Sequence, residues 1–258
     1  MINIHPTAIV SNKAKLGSNI QVAAYAIIHD DVEIGDNCTI GPHAVIYDGA
    51  RIGNNVKIHQ SAAIANIPQD LKFAGEKSIF EVGDNTTIRE FVTLNRGTVA
   101  TGVSRVGKNC LIMAYTHVGH DCKVGNHCII ANSVQIGGHV VLEDWAFIGG
   151  STPIHQFCRV GQHVMIGGGF KISVDVPPYI LGASEPLRYS GLNTIGLRRR
   201  GFSNEEINSI KSAYHVIYNS GLNFSQAKAR LIEEMSDNPL VMNIVEFMNN
   251  SKRSLIRK

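Results

Sequence analysis

An aliphatic side chain returns at every sixth position from Ile4 onward: Ile4, Val10, Leu16, Val22 and so on to Ile64, then Val82, Ile88 and Leu94, then Val106 through Ile172. Of the 29 positions on this ruler, 26 are Ile, Leu or Val, the exceptions being Asp70, Glu76 and Ala100. An α-helix turns every ~3.6 residues and cannot keep one face apolar at a period of six for so long. Short strands joined by tight turns can, as in hexapeptide β-helices. The residue after the ruler is often Gly, as at Gly17, Gly35, Gly53, Gly107 and Gly125. With the recurring IGDN, IGNN, VGDN, VGKN and VGNH, these mark corners where Gly or Asn is expected to adopt a positive φ. Three units, 18 residues, would make one triangular coil. Neighbouring coils would then stack about 4.8 Å apart around one continuous core.

Other positions follow from the ruler. Cys38, Cys110, Cys122, Cys128 and Cys158 all lie four places after a ruler residue, a slot shared with Ala8, Ala14, Ala26, Ala44, Ala50, Ala62 and Ala146. The slot wants a small inward side chain, and a buried thiol serves. An odd number of cysteines without CxxC argues against redox or metal chemistry. Residues 65–81 (ANIPQDLKFAGEKSIFE) and 95–105 (NRGTVATGVSR) interrupt the pattern, which resumes in phase after each. Both read as loops leaving a rigid column, where binding residues concentrate.

Past Pro177-Pro178 the period stops, which divides the chain into a β-helix over 1–178 and a connector with a small α-helical domain over 179–258. Residues 179–200 read as an irregular connector ending in three arginines. Ser203 and Glu206 form a capping box for a helix to about Ser220, with Ile207, Ile210, Tyr214, Ile217 and Tyr218 on one stripe. A second helix is predicted over 225–236. Pro239 opens a third, with Val241, Ile244, Val245 and Met248 inward.

Composition adds mainly exclusions. A net charge of +3, dispersed along 258 residues, lacks the dense basic stripe of a nucleic-acid binder. No apolar run is long enough to form a transmembrane segment. The start, MINIHPTAIV, lacks the pattern of a secretory signal. The chain reads as soluble and cytoplasmic, with peripheral membrane contact left open.

An 18-residue coil turns sequence separation into position. His120 and His139 are 19 apart, His139 and His155 are 16 apart, and Gln156 lies 36 after His120. They are expected to form a polar row along one edge, about 5 Å from coil to coil. His117 would point outward beside them, whereas His5, His29, His43, His59, His127 and His163 have no comparable company. Asp121, next to His120, could tune or position an imidazole, and a backbone N–H near Gly137-Gly138 could meet oxyanion charge. Three imidazoles could instead hold zinc, as in β-helical carbonic anhydrase-like hydratases. With neither a serine elbow nor an outward cysteine, direct attack by a substrate hydroxyl or amine on an activated acyl donor is the natural reaction class.

The ruler, QDLKFAGE (69–76), THVGHDC (116–122), GGH (137–139), HQFC (155–158) and NTIGLRRRGFS (193–203) together resemble the bacterial UDP-N-acetylglucosamine O-acyltransferase family over essentially the whole chain. The resemblance implies a homotrimer of left-handed β-helices with active sites in the clefts between neighbours, no metal and no other cofactor. It implies transfer of an (R)-3-hydroxyacyl chain from acyl carrier protein to the sugar 3-hydroxyl, opening lipid A biosynthesis. His120 matches the general base, Asp121 its orienting partner and Gly138 the oxyanion donor. Asp70, Lys72, His117, His139, His155 and Gln156 match residues lining the nucleotide-sugar and acyl sites, while Asn193, Arg199 and Arg200 match the uridine or phosphate side. Arg198, Arg199, Arg200 and the tail SKRSLIRK are candidates for meeting the acidic carrier protein. Ile195 departs from an acidic residue common in the family and removes an acceptor from the nucleotide side. Gly168 takes the place of the chain-length gauge, and its missing side chain implies an acyl chain of about 14 carbons or more. An acceptor with a 3-amino sugar would need the same base and oxyanion donor. The pathway's later N-acyltransferase is disfavoured, because it carries an extra N-terminal domain whereas the hexapeptides here begin at Ile4.

Overall fold

The computed structural model describes residues 2–258. Most ruler residues end a two-residue strand, as in Gln21–Val22, Thr39–Ile40 and Leu111–Ile112, with the ruler side chain buried and its predecessor turned outward. Val22 pairs in parallel with Ile40, and Ile40 with Ile58, which fixes the 18-residue coil. The strands stack into parallel faces of 11, 8 and 8 strands, the first ending in one antiparallel pair. They are called here the first, second and third face, in the order the chain visits them. The coils wind as a left-handed β-helix, against the usual right-handed preference of parallel crossovers.

Ile64 pairs with Leu94, 30 residues on, and Leu94 with Val118, 24 on. The two excursions therefore add twelve and six residues to the coil, and the ruler stays in phase across them. All five cysteines are buried and unpaired. Their slot has a second use, because Cys38 Sγ and Cys122 Sγ each lie 3.1 Å from a corner carbonyl of the next coil, Gly53 O and Gly137 O. Thr86 Oγ1 does the same to Gly107 O at 2.8 Å.

Of the Gly or Asn expected to take positive φ at the corners, it is the Asn that does so. Positive φ falls three places after the ruler, at Asn19, Asn37, Asn55, Asn85 and Asn109, and also at Asp121, His139 and Trp145. The glycine directly after the ruler is instead a spacer between coils. A Cβ on Gly35 would lie 2.8 Å from the carbonyl carbon of Gly53, and one on Gly107 would lie 2.6 Å from Gly125 O.

Residues 179–200 are more ordered than an irregular connector. Strand Ile180–Ala183 extends the first face by pairing with Met165–Ile166, then pairs antiparallel with Arg188–Leu192. Four helices follow in the described residues: α1 (Thr194–Arg199), α2 (Asn204–Asn219), α3 (Phe224–Met235) and α4 (Pro239–Asn250). The Ser203–Glu206 capping box opens α2, and Asn238 with Pro239 opens α4. Tyr214 Oη donates to Pro178 O at 2.6 Å, and the apolar faces of α2 and α4 join the column's core. No helix among the described residues is long and apolar enough to cross a membrane.

Candidate active site

The corner after the second face follows His117–Val118, Gln135–Ile136 and Pro153–Ile154. Two columns of 18-residue spacing meet there: His120, Gly138 and Gln156, and beside them Asp121, His139 and Phe157. His155 precedes Gln156, so the expected imidazole row zigzags across neighbouring columns of one edge. The His120 and His139 rings meet edge-on with centroids 5.1 Å apart, and Phe157 stacks on His139 at 4.5 Å.

Asp121 is 3% exposed. Its carboxylate accepts from Thr98 N at 3.0 Å, Thr98 Oγ1 at 2.8 Å, His120 Nδ1 at 2.8 Å and Thr101 Oγ1. Burial alone would raise its pKa, but the bonds from Thr101, His120 and Thr98 together lower it to about 2. An ionised carboxylate can only accept, so His120 Nδ1 must carry the proton, and in the neutral ring Nε2 then presents a lone pair. That is the tautomer of a general base.

Gly138 packs against this ring. A Cβ there would fall 2.6 Å from His120 Nε2, so any side chain would cover that nitrogen. The Gly138 N–H has no acceptor among the described residues. An open concavity of about 500 Å³ is lined by His117, His120, Gly138, His155, Gln156 and, from the first excursion, Gln69. His117 bonds Thr93 Oγ1 through Nδ1 at 2.8 Å. Burial, then the charge of His120, lowers its pKa. Burial also lowers that of His139, against the pull of Asp121 and Asp70.

The two excursions are clasped together. Glu76 accepts from Val99 N at 2.9 Å, Arg96 sits 5.6 Å over the Phe73 ring, and Asn95 donates to Ile67 O. Asp70 accepts from Lys72 N at 3.0 Å, leaving the Lys72 side chain exposed.

The remaining candidates lie elsewhere on this chain. Asn193 is buried as the cap of α1, accepting from Gly196 N and donating to His163 O. Arg200 packs over Trp145 at 5.2 Å and meets His163 Nδ1 at 3.3 Å, on the corner after the third face. Arg199 and Ile195 are exposed on α1. Gly168 lies on the corner after the first face, beside Gly150. One chain thus gathers the candidate base, its partner and the oxyanion candidate, but not the arginines or Gly168.

His120, Asp121 and His139 bring their donor atoms within 4.8 Å of one another. This differs from the three-imidazole zinc arrangement, since His155 is outside the cluster. Asp121 already spends its lone pairs on four protein donors, which fits an orienting carboxylate better than a metal ligand.

Two family models match: a six-repeat bacterial transferase hexapeptide over 13–48, 31–66 and 104–138, and the second domain of UDP-N-acetylglucosamine O-acyltransferase over 175–256. An acyl-[acyl-carrier-protein]–UDP-N-acetylglucosamine O-acyltransferase from Xylella fastidiosa is 44% identical over 98% of this chain and 97% of its own. A solved UDP-N-acetylglucosamine acyltransferase from Bacteroides fragilis superposes with a TM-score of 0.96 at 49% identity, covering 98% of this chain and 100% of that one. One from Acinetobacter baumannii gives 0.95 at 38% identity, over 98% and 99%. The chain belongs to the UDP-N-acetylglucosamine O-acyltransferase family. For an O-acyltransferase of this family, sequence reasoning missed Thr98 and Thr101, which hold the Asp121 carboxylate, and Gln69 at the rim. It also passed over His163, which anchors both Asn193 and Arg200. The only signal was their place in the two interruptions or beside a solitary Trp.

Proposed function

We propose that this protein transfers an acyl chain from acyl carrier protein to a hydroxyl of UDP-N-acetylglucosamine, the first step of lipid A biosynthesis. In the finer reading the chain is (R)-3-hydroxyacyl and the acceptor is the sugar 3-hydroxyl. His120 Nε2 removes the hydroxyl proton as that oxygen attacks the thioester carbonyl. The Gly138 N–H receives the developing oxyanion, and collapse expels the carrier thiolate, which regains the proton from His120. The observation that carries this reading is the bond between His120 Nδ1 and the Asp121 carboxylate, which favours the proton on Nδ1, with Nε2 beside a bare Gly138.

A homotrimer is part of the proposal. The first face presents Leu111, Ile129, Phe147 and Met165 outward, an apolar column suited to an acyl chain, and Gly168 on the adjoining corner brings no side chain against it. A neighbouring copy would set that wall and the α1 arginines beside the His120 corner, where Arg199 and Arg200 suit a diphosphate. The cationic α1 and tail suit an acidic carrier.

The test is acyl transfer from a carrier-protein series of chain lengths to UDP-N-acetylglucosamine and to its 3-amino counterpart. Turnover is expected on the 3-hydroxy acceptor, with chains of about 14 carbons or more preferred. His120→Ala should lower kcat at least about 100-fold without changing the oligomer. A fully active alanine variant would remove His120 as the base, and a sharp preference for a ten-carbon chain would remove Gly168 as the gauge.

A further inference from the structure

The C-terminal tail carries an unassigned group to this corner. After α4 the chain turns back over the last coil: Asp175 N donates to Ser254 O, and Ile256 N to Asp175 O, both at 2.9 Å. The buried Asp175 carboxylate accepts from Ser251 Oγ, from Arg253 N at 3.3 Å and from Arg159 N at 2.7 Å. Leu255 and Ile256 are buried, and Tyr218 Oη donates to Ile256 O at 2.9 Å. The tail is therefore fixed, and it places Arg253 Nη2 3.1 Å from His155 Nδ1.

The same Nδ1 lies 3.0 Å from Gln156 O. A neutral imidazole can satisfy only one of these neighbours. Donating to the carbonyl keeps the proton on Nδ1 and leaves Nε2 an acceptor, whereas accepting from the guanidinium moves the proton to Nε2. Arg253 has donors and no lone pair, and it stays charged, so a proton on Nδ1 would confront it directly. We infer that Arg253 is a positioning residue of the site: it selects the His155 tautomer whose Nε2–H donates into the cleft. This rests on reading the cleft as the nucleotide-sugar site. Hydroxyl, phosphoryl and carbonyl oxygens of such a ligand can accept that bond, while a bare Nε2 would face phosphoryl and carbonyl lone pairs. The corner then holds two imidazoles set to opposite polarity by partners of opposite charge. Asp121 makes His120 Nε2 an acceptor, and Arg253 makes His155 Nε2 a donor.

Arg253→Met, Arg253→Lys and His155→Gln separate this role from its rivals, since the glutamine amide offers a donor whatever residue 253 is. Arg253→Met should raise KM for UDP-N-acetylglucosamine about 10-fold, the worth of one hydrogen bond, with kcat at saturating acceptor nearly unchanged. Arg253→Lys should recover most of the loss. In the His155→Gln background, Arg253→Met should add nothing. Nitrogen NMR of histidine-labelled enzyme should show the His155 proton moving from Nε2 to Nδ1 in Arg253→Met. An equal loss in both backgrounds would make Arg253 an independent ligand and overturn the inference, as would an unchanged tautomer. A parallel fall in kcat and thermal midpoint, not rescued by lysine, would reduce it to a tie for the tail. The NMR readout needs no turnover. A switched tautomer in an enzyme inactive on this acceptor would overturn the functional reading and leave the Arg253 assignment standing.

Discussion

Asp121 and His163 show how single side chains at the corners set protonation. The folded Asp121 pKa, about 2, lies below its ordinary 3.8, so the folded state binds the proton less readily than the unfolded chain. Its contribution is present above about pH 4 and is lost as the pH falls towards 2, a matter of about 2 kcal/mol. Asp121→Asn should remove that acid-dependent portion in denaturant titrations at successive pH values. It should also lower kcat on the order of 100-fold, because a neutral amide no longer holds His120 in its basic tautomer. His163 is held down to about 4 by burial and then by Arg200, so it stays neutral beside that guanidinium. The residue pattern made the His120 corner legible because spacing alone stacks it. It could not reveal Thr98 and Thr101, since their contact with Asp121 depends on how an aperiodic loop folds back.

At the level of the element, the hexapeptide has two special positions with different reasons. Gly35→Ala should destabilise the column on the order of 2 kcal/mol, because the new Cβ would press on the backbone of Gly53. Asn37, at φ +59°, should tolerate glycine and lose about 1 kcal/mol as alanine. Thermal unfolding of the three variants checks the order. Sequence identified both as corner residues and left the positive φ open between Gly and Asn, because a turn's sharpest residue and its most crowded residue look alike in a repeat. The hairpin at 180–192 was illegible for another reason. Its first strand is specified by pairing with Met165–Ile166, not by any local period.

Across the whole molecule, the candidate residues sit on three different corners of one column, and that arrangement predicts shared sites. In mixed oligomers of His120→Ala and Arg199→Met copies, random assembly should leave roughly a quarter of the clefts with both native residues if the two come from different subunits. Activity should return to about that fraction when the two inactive variants are co-expressed. No recovery would mean that each chain works alone.

The clasp between the excursions has a wider consequence. Phe73 and Glu76 hold the strand of chain that carries Thr98, and Thr98 in turn holds Asp121. A ligand that quiets the loop around Asp70 would therefore also still the hydroxyls that hold Asp121, and through it the His120 imidazole. By thermodynamic reciprocity, a well-seated imidazole must lend affinity to whatever rests on that loop.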